Sequence, residues 1–278
     1  MMRFSVLMSI YYKEEPEYFD LCLKSILVDQ TIVPNEIVLV KDGKLSSELE
    51  NIIKKYQKKF PEVFNIIALE KNVGLGKALN IGLQQCKYEI VMRMDSDDVS
   101  VPDRFEKQLK YMKKHKDVSV LGGFIGEFKN DKNKIERIKT MPCTYDEVRK
   151  YAKFRNPINH MTVCFRKKDV LEVGNYQPLF YLEDHYLWAR LLVNNKKIEN
   201  LPYVLVYARI GNGFISRRGN KKYIKGWKKL QNYLYKNKMI NFVEKSRNML
   251  GMYVMVYIPD EGRAYLYNNI LRKKTKNR

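Results

Sequence analysis

Along the first 125 residues, apolar and polar positions follow two periods that take turns. Phe4–Ile10 is an apolar run of the kind found in buried strands, and Pro16–Asp29 follows with Phe19, Leu23, Ile26 and Leu27 at helical spacing. Glu36–Val40 reads as a second strand, ending at Asp42-Gly43, and Leu45–Phe60 as an amphipathic helix stopped by Pro61. Phe64–Leu69 and Glu89–Met94 are the third and fourth strands, separated by a helix over Leu75–Cys86. Val101–His115 is a further helix, with Pro102 near its first turn, where proline is tolerated.

Strictly alternating strands and helices predict an α/β fold, a parallel sheet covered by helices. In open sheets of this kind ligands bind beyond the carboxyl ends of the strands. Polar residues collect at those ends: Tyr11, Asp42, Asn72 and Asp95–Asp98. Beyond residue 125 the alternation loosens, as expected where antiparallel strands join the sheet. His160–Phe165 and Tyr203–Arg209 read as strands and Asp184–Asn194 as a helix with Leu187, Trp188, Leu191 and Leu192 as its apolar stripe. From Tyr223 onward come basic, Tyr-rich helical segments, including the short apolar run Met249–Ile258.

Length and composition narrow the class. A chain of 278 residues with 45% hydrophobic content can bury one sizeable domain, here assigned to 1–215, with a C-terminal extension over 216–278. Within the domain, 1–125 reads as a ligand-binding half and 126–215 as a second half. Mean hydropathy is −0.46, and no apolar run approaches the roughly 20 residues of a membrane span. Met1–Tyr12 reads better as a strand than as a cleaved leader. Cys22, Cys86, Cys143 and Cys164 are widely spaced in apolar stretches, which predicts buried free thiols and a cytoplasmic, reducing setting. The net charge of +21 is unevenly spread: residues 217–278 carry 17 Lys+Arg against 3 Asp+Glu, whereas 1–100 carry 13 against 15. Such a tail is attracted to polyanions, including the inner face of an anionic membrane; a solvated Lys-rich surface is the plainer alternative.

The chemistry concentrates at Asp95-Ser96-Asp97-Asp98, behind Ile90–Met94. Three carboxylates within four residues at the end of a buried strand are costly unless a cation sits there. Hard oxygen donors of this kind suit Mg²⁺ or Mn²⁺, which takes the rest of its shell from water and phosphates. Alternation points Asp95 and Asp97 to one side. One competing reading is an Asp-rich turn capping the helix near Val101. Another is the DxDx(T/V) nucleophile motif of haloacid-dehalogenase-like phosphatases, which usually ends the first strand of its domain rather than the fourth. Asp42-Gly43 is either a simple turn or an acceptor for a base imide. Asn72-Val73-Gly74-Leu75-Gly76-Lys77 sets glycines and a lysine at a helix start, where backbone N–H groups favour anions, although it matches neither a P-loop nor GxGxxG. Glu183-Asp184 opens an apolar-striped helix and reads as an acidic first turn or as a general base.

Taken together and in order, these residues resemble glycosyltransferase family 2, the GT-A-fold enzymes of bacterial polysaccharide assembly, and especially the amylovoran or capsule branch. The resemblance spans about residues 3–210. It rests on Ser5–Ser9 with Tyr12-Lys13-Glu14, Ser25–Thr31, Ile37–Gly43, Asn72–Gly74, Asp95–Asp98 with Pro102, Arg104 and Phe105, Asn159-His160, Gly174–Tyr176, and Glu183-Asp184 with Leu187-Trp188. It implies a Rossmann-like, mostly parallel central sheet with flanking helices. It also implies inverting transfer of a hexose or N-acetylhexosamine from a nucleotide diphosphate sugar, UDP-linked, to an acceptor hydroxyl. The acceptor would be a glycan or be carried on a polyprenyl diphosphate. Carried over, Ser9 and Tyr11 line the nucleoside pocket, Asp42 meets the base, and Asn72, Gly74 and Lys77 flank the diphosphate. Asp95 and Asp97 form the DxD element, Asp97 touching Mn²⁺ or Mg²⁺, and Asp98 borders the donor sugar. Asp184 is the catalytic base with Glu183 beside it, and His160 lies near the acceptor or diphosphate. Lys41-Asp42 departs from the family's paired acid there, leaving the base contact on Asp42 alone. An inactive GT-A-like domain binding lipid or nucleic acid through its basic tail is the alternative from a binding class; the acid cluster argues against nucleic acid on the front edge. A sugar-nucleotide pyrophosphorylase is weakened by the lack of a Gly-rich, basic first strand–helix turn.

Overall fold

The computed structural model describes residues 2–211, 221–259 and 262. Strand β1 (Phe4–Ile10) lies at the centre of a parallel set with β2 (Glu36–Lys41), β3 (Phe64–Ala68) and β4 (Ile90–Arg93), in the order β3-β2-β1-β4. The helices between them are α1 (Pro16–Leu27), α2 (Ser47–Lys59) and α3 (Leu75–Gln85). Side-chain alternation divides the strands between two cores. Phe4, Val6, Met8 and Ile10 of β1 face α1 and α2, while Leu7 faces α3 with Leu79 and Leu83. Helix α3 lies close on the sheet because Gly82 has no side chain: a Cβ there would come within 2.6 Å of Leu7 and 2.7 Å of Val40.

The second half extends the same sheet. After the two-residue β5 (Val99–Ser100) and α4 (Arg104–Lys114) come the long β6 (Val118–Phe128), β7 (Arg137–Lys139) and α5 (Tyr145–Ala152). Then follow β8 (Cys164–Arg166), α6 (Lys167–Glu172), α7 (Glu183–Val193) and β9 (Lys197–Arg209). The sheet order continues β4-β8-β6-β9-β5, with β8 antiparallel to both β4 and β6. The parallel set thus becomes mixed where the pattern loosened, but β6, β7 and α5 occupy a stretch in which the sequence reading has no element.

Two further expectations are corrected. His160–Phe165 is not one strand: His160–Thr162 forms a 3-10 turn before β8. The Thr162 hydroxyl donates to the Asn159 carbonyl at 2.7 Å and accepts from Gly123 N at 3.0 Å, a side-chain bonding pattern that competes with the ladder. The four cysteines are free, but Cys143 is only half-buried, unlike the other three. It sits beside the α5 capping box, where its N–H donates to Glu147.

The basic C-terminal segment folds as α8 (Lys221–Lys236) and α9 (Phe242–Tyr257). Trp227, Leu230 and Leu234 of α8 join the second core, so the hairpin is bound to the domain by apolar packing. The boundary expected at 215/216 lies outside the described residues, as do most residues past 259. Among the described residues no helix is long and apolar enough to cross a membrane.

Candidate active site

The carboxyl ends of the parallel strands meet at one edge, as the topology requires. Asp95 and its neighbours follow β4 and are reached from three directions. From the β1–α1 loop comes Glu14, whose carboxylate accepts a hydrogen bond from the Ser96 hydroxyl. From the end of β9 comes Arg209, whose backbone N–H donates to Asp98 Oδ1 at 2.8 Å. The Arg209 guanidinium lies 3.6 Å from the Tyr18 ring centroid and donates to the Asp97 carbonyl at 3.3 Å. From α1, the Cys22 thiol donates to the Asp95 carbonyl at 3.1 Å.

Crowding and burial at this edge raise the proton affinity of Glu14, Asp97 and Asp98. Burial and then the charges of Asp95 and Glu14 hold Asp97 above the usual carboxylate range. Burial and then Asp97 do the same to Asp98, which is 2% exposed. Asp98 Oδ2 is buried with no hydrogen-bond partner. An orphaned oxygen among mutually repelling hard donors fits a divalent cation. Among the described residues no group of three or more His, Cys, Asp or Glu closes around a metal unaided. Such a cation would therefore complete its shell from a ligand such as a diphosphate. The helix-capping alternative is not what these residues do: α4 begins at Arg104, its N-cap is Asp103, and Asp98 is engaged with Arg209 instead.

Arg93 links this cluster electrostatically to Asp184 at the start of α7. It is the one basic residue in β4, is 1% exposed, and forms an ion pair with Asp95. Its charge is also felt by His160, Tyr176 and Asp184. His160 is packed between Tyr176 and Trp188, with Nε2 at 2.9 Å from the Tyr176 hydroxyl. Burial, then Arg93, hold its imidazole well below the ordinary range, so it is neutral at pH 7.

Asp184 lies in the first turn of α7 and makes the contact expected of an acid there. Its Oδ1 accepts from the His185 N–H at 2.7 Å, a local helix-start contact, and its Oδ2 accepts from Asn156 Nδ2 at 2.5 Å. Burial raises its pKa despite these bonds. Beside it, burial pushes Glu183 up to about 7, with the Asp184 charge adding to the effect.

The Asn72–Lys77 loop runs between the two halves. Both Asp42 oxygens are engaged with it, accepting from Val73 N at 2.7 Å and Gly74 N at 3.0 Å, while Asn72 Nδ2 donates to the Asp42 carbonyl at 3.3 Å. Gly74, at φ +86°, turns the chain into α3 in a region that favours glycine. At the next turn, a Cβ on Gly76 would stand 2.7 Å from Glu183 Cγ. Lys77 and Asn72 are exposed, Ser9 is half-buried at the end of β1, and Tyr11 is 41% exposed just beyond it.

The structure thus gathers Asp95, Asp97, Asp98, His160, Glu183 and Asp184 around Arg93 and the α3 loop. Ser9, Tyr11 and Asp42 lie on the same edge. Asp42, expected to meet a base, accepts a loop N–H with each carboxylate oxygen. Glu14 and Tyr176, present in the sequence reading only as parts of motifs, gain side-chain partners at the site, and Arg93, Asn156 and Arg209 are added by the structure. Of these three only Arg93 carried a signal of its own, an arginine inside an otherwise apolar strand.

Solved structures share this arrangement of sheet and edge. The TarS 1–349 structure from S. aureus, solved with UDP-GlcNAc, superposes with a TM-score of 0.68 at 19% identity, covering 97% of this chain and 77% of that one. A mannosyltransferase from Pyrobaculum calidifontis, solved with GDP-Man and Mn²⁺, gives 0.63 at 15% identity, covering 94% and 71%. The fold is that of the GT-A glycosyltransferases. The family model for glycosyl transferase family 2 matches residues 5–174, and the chain belongs to that family. It is similar to the amylovoran biosynthesis glycosyltransferase AmsE of Erwinia amylovora, 39% identical over 95% of this chain and 97% of the relative. It is also similar to the UDP-Gal:alpha-D-GlcNAc-diphosphoundecaprenol beta-1,3-galactosyltransferase of Escherichia coli, 36% identical over 98% and 97%. The phosphatase reading of Asp95–Val99 is set aside by this membership.

Proposed function

We propose that this glycosyltransferase moves a hexosyl or N-acetylhexosaminyl group, with inversion, from a UDP-linked donor to a hydroxyl of a glycan borne on a polyprenyl diphosphate. Support for the donor and acceptor classes comes from the E. coli relative, whose name specifies UDP-Gal and a GlcNAc-diphosphoundecaprenol. The observation that carries the reading is the convergence of two carboxylate sets on Arg93, one at the end of β4 and one at the start of α7. We assign the donor to the edge of 1–125 and the acceptor to 126–215.

Asp97 and Asp95, with Asp98, would hold Mn²⁺ or Mg²⁺ together with the donor diphosphate, and the ion would offset charge growing on the leaving group. The protein's own part is positional and protonic. Ser9 and Tyr11 flank the nucleoside, the Asp42-braced loop with Asn72, Gly74 and Lys77 borders the diphosphate, and Asp98 borders the sugar. Asp184 accepts the acceptor hydroxyl's proton, and burial raises its proton affinity. Asn156 orients the carboxylate through Oδ2, Glu183 lies beside it, and neutral His160 closes the floor against Tyr176. The setting is cytoplasmic, at the inner face of a membrane that supplies the acceptor.

The test is transfer from a panel of nucleotide sugars with Mn²⁺ to a GlcNAc-diphospho-lipid acceptor. The expected result is turnover with a UDP-hexose that Asp184→Asn lowers by about 10²–10⁴ in kcat, the scale of a lost general base. Turnover unchanged in Asp184→Asn would remove the base assignment.

A further inference from the structure

We propose that the outward face of α9 docks the protein on an anionic lipid surface, its apolar side chains entering the headgroup boundary. The helix has two unlike sides. Inward, Asn248 and Val256 are buried, and Met249 and Met252 pack on the second core. Outward, Val243, Leu250 and Val254 recur at helical spacing and are 73%, 66% and 47% exposed, with Phe242 and Tyr253 at the margins. Three branched aliphatic side chains aligned on one exposed stripe are not explained by packing among the described residues.

The surrounding charge selects the occupant. Residues 221–259 carry nine Lys+Arg against one acid, Glu244. That acid is already committed: it caps α9 through Asn241 and pairs with Lys153 at 3.0 Å. Lys225, Lys228, Lys229, Lys236, Lys238 and Arg247 are exposed on the same hairpin. An apolar stripe on a cationic hairpin complements acidic headgroups over an acyl interior. A second copy would instead bring one basic surface against another, which like charges oppose.

The hairpin is rigidly tied to the acceptor side. Trp227 Nε1 donates to the Asn248 carbonyl at 3.2 Å, and Asn248 Nδ2 donates to both Gln231 and the Lys153 carbonyl. A Cβ at Gly226 would sit 3.3 Å from Leu182, the residue preceding Glu183-Asp184. Docking α9 therefore presents the base-bearing start of α7 to substrates held at a membrane. This purpose rests on the lipid-linked acceptor proposed above, whereas the docking itself does not.

Flotation of the full-length protein with acceptor-free vesicles separates the two. With phosphatidylcholine mixed with phosphatidylglycerol the protein should float, and with phosphatidylcholine alone or at high salt it should not. Leu250→Glu with Val254→Glu should lower partitioning roughly tenfold or more. The same variant should keep the melting temperature and the turnover of a water-soluble acceptor. Val243→Glu, alone on the outer end of the stripe, should act in the same direction should the pair fail to fold. The proposal is overturned if the wild type stays with the buffer, or if the Glu variants float like the wild type. It is equally overturned if light scattering shows a wild-type dimer that these variants dissociate, which would make the face a self-association surface.

Discussion

Asp42→Asn separates two roles that one carboxylate could play at the β2 edge. The wild-type side chain is 3% exposed and accepts two backbone N–H groups, from Val73 and Gly74, through different oxygens. Asparagine keeps one acceptor and turns its NH₂ toward the other N–H, so one charged hydrogen bond is lost and the second becomes neutral. Bonds to charged groups contribute about 1.5–3 kcal/mol and neutral ones about 1, so the change should cost about 2–5 kcal/mol. In a domain of this size that corresponds to a fall in Tm of roughly 4–10 °C. The assay is thermal unfolding of both proteins, with and without UDP and Mn²⁺, beside the KM for the donor. The loop brace predicts that Tm falls without ligand and that donor KM rises as the loop loosens. An unchanged Tm with a raised KM would refute the brace and return Asp42 to the role of a base contact alone.

Other consequences are as direct. Glu183 is pushed up to about 7 in the folded protein against an ordinary 4.5. The folded state therefore binds more protons than the unfolded one between those values, and stability present below pH 4.5 is lost as pH rises through 7, by at most about 3 kcal/mol. Glu183→Gln should flatten that decline in thermal melts taken across the window; an identical slope would exclude Glu183 as its source. Gly76→Ala forces a Cβ to 2.7 Å from Glu183 Cγ and should cost about 1–3 kcal/mol as overpacking. Glu183→Ala in the same chain should recover most of that cost, and purely additive effects would show that the two do not touch in solution. Chelation should abolish UDP-induced thermal stabilisation, with Mn²⁺ restoring it; stabilisation by UDP in excess EDTA would contradict the assignment of Asp95 and Asp97 as metal ligands.

The first four strand–helix units were legible because β1, β2 and β4 are buried on both faces, β3 keeps a short apolar run although it is only half-buried, and each helix carries a single apolar stripe. The later strands were not. β6 contains Gly122, Gly123 and Gly126, which blur its pattern, and it is held between β8 and β9 by pairings across long stretches of sequence. β9 begins with Lys197, Glu199 and Asn200 and includes Pro202, so only its apolar end was readable; its register shift opposite Gly123 and Phe124 accommodates the proline. At the site, Asp95–Asp98 stood out because clustered charge behind a buried strand is physically expensive. Asp184 did not stand out alone, since a first-turn acid is ordinary, and in the structure it does make that ordinary contact. Asn156 and Arg209 reach the site from distant parts of the chain, and no local pattern could announce them; Glu14 lay in a family motif, but nothing local pointed it at Ser96.

The missing side chain at Gly76 has a consequence for altering this enzyme. Because the stem of Glu183 rests where that Cβ would be, the first turn of α3 and the start of α7 share a surface with no slack between them. Any redesign that thickens or shifts the first turn of α3 will be transmitted to α7. On the proposed assignment of donor and acceptor sides, the two selectivities would change together unless both partners of that contact are rebuilt at once.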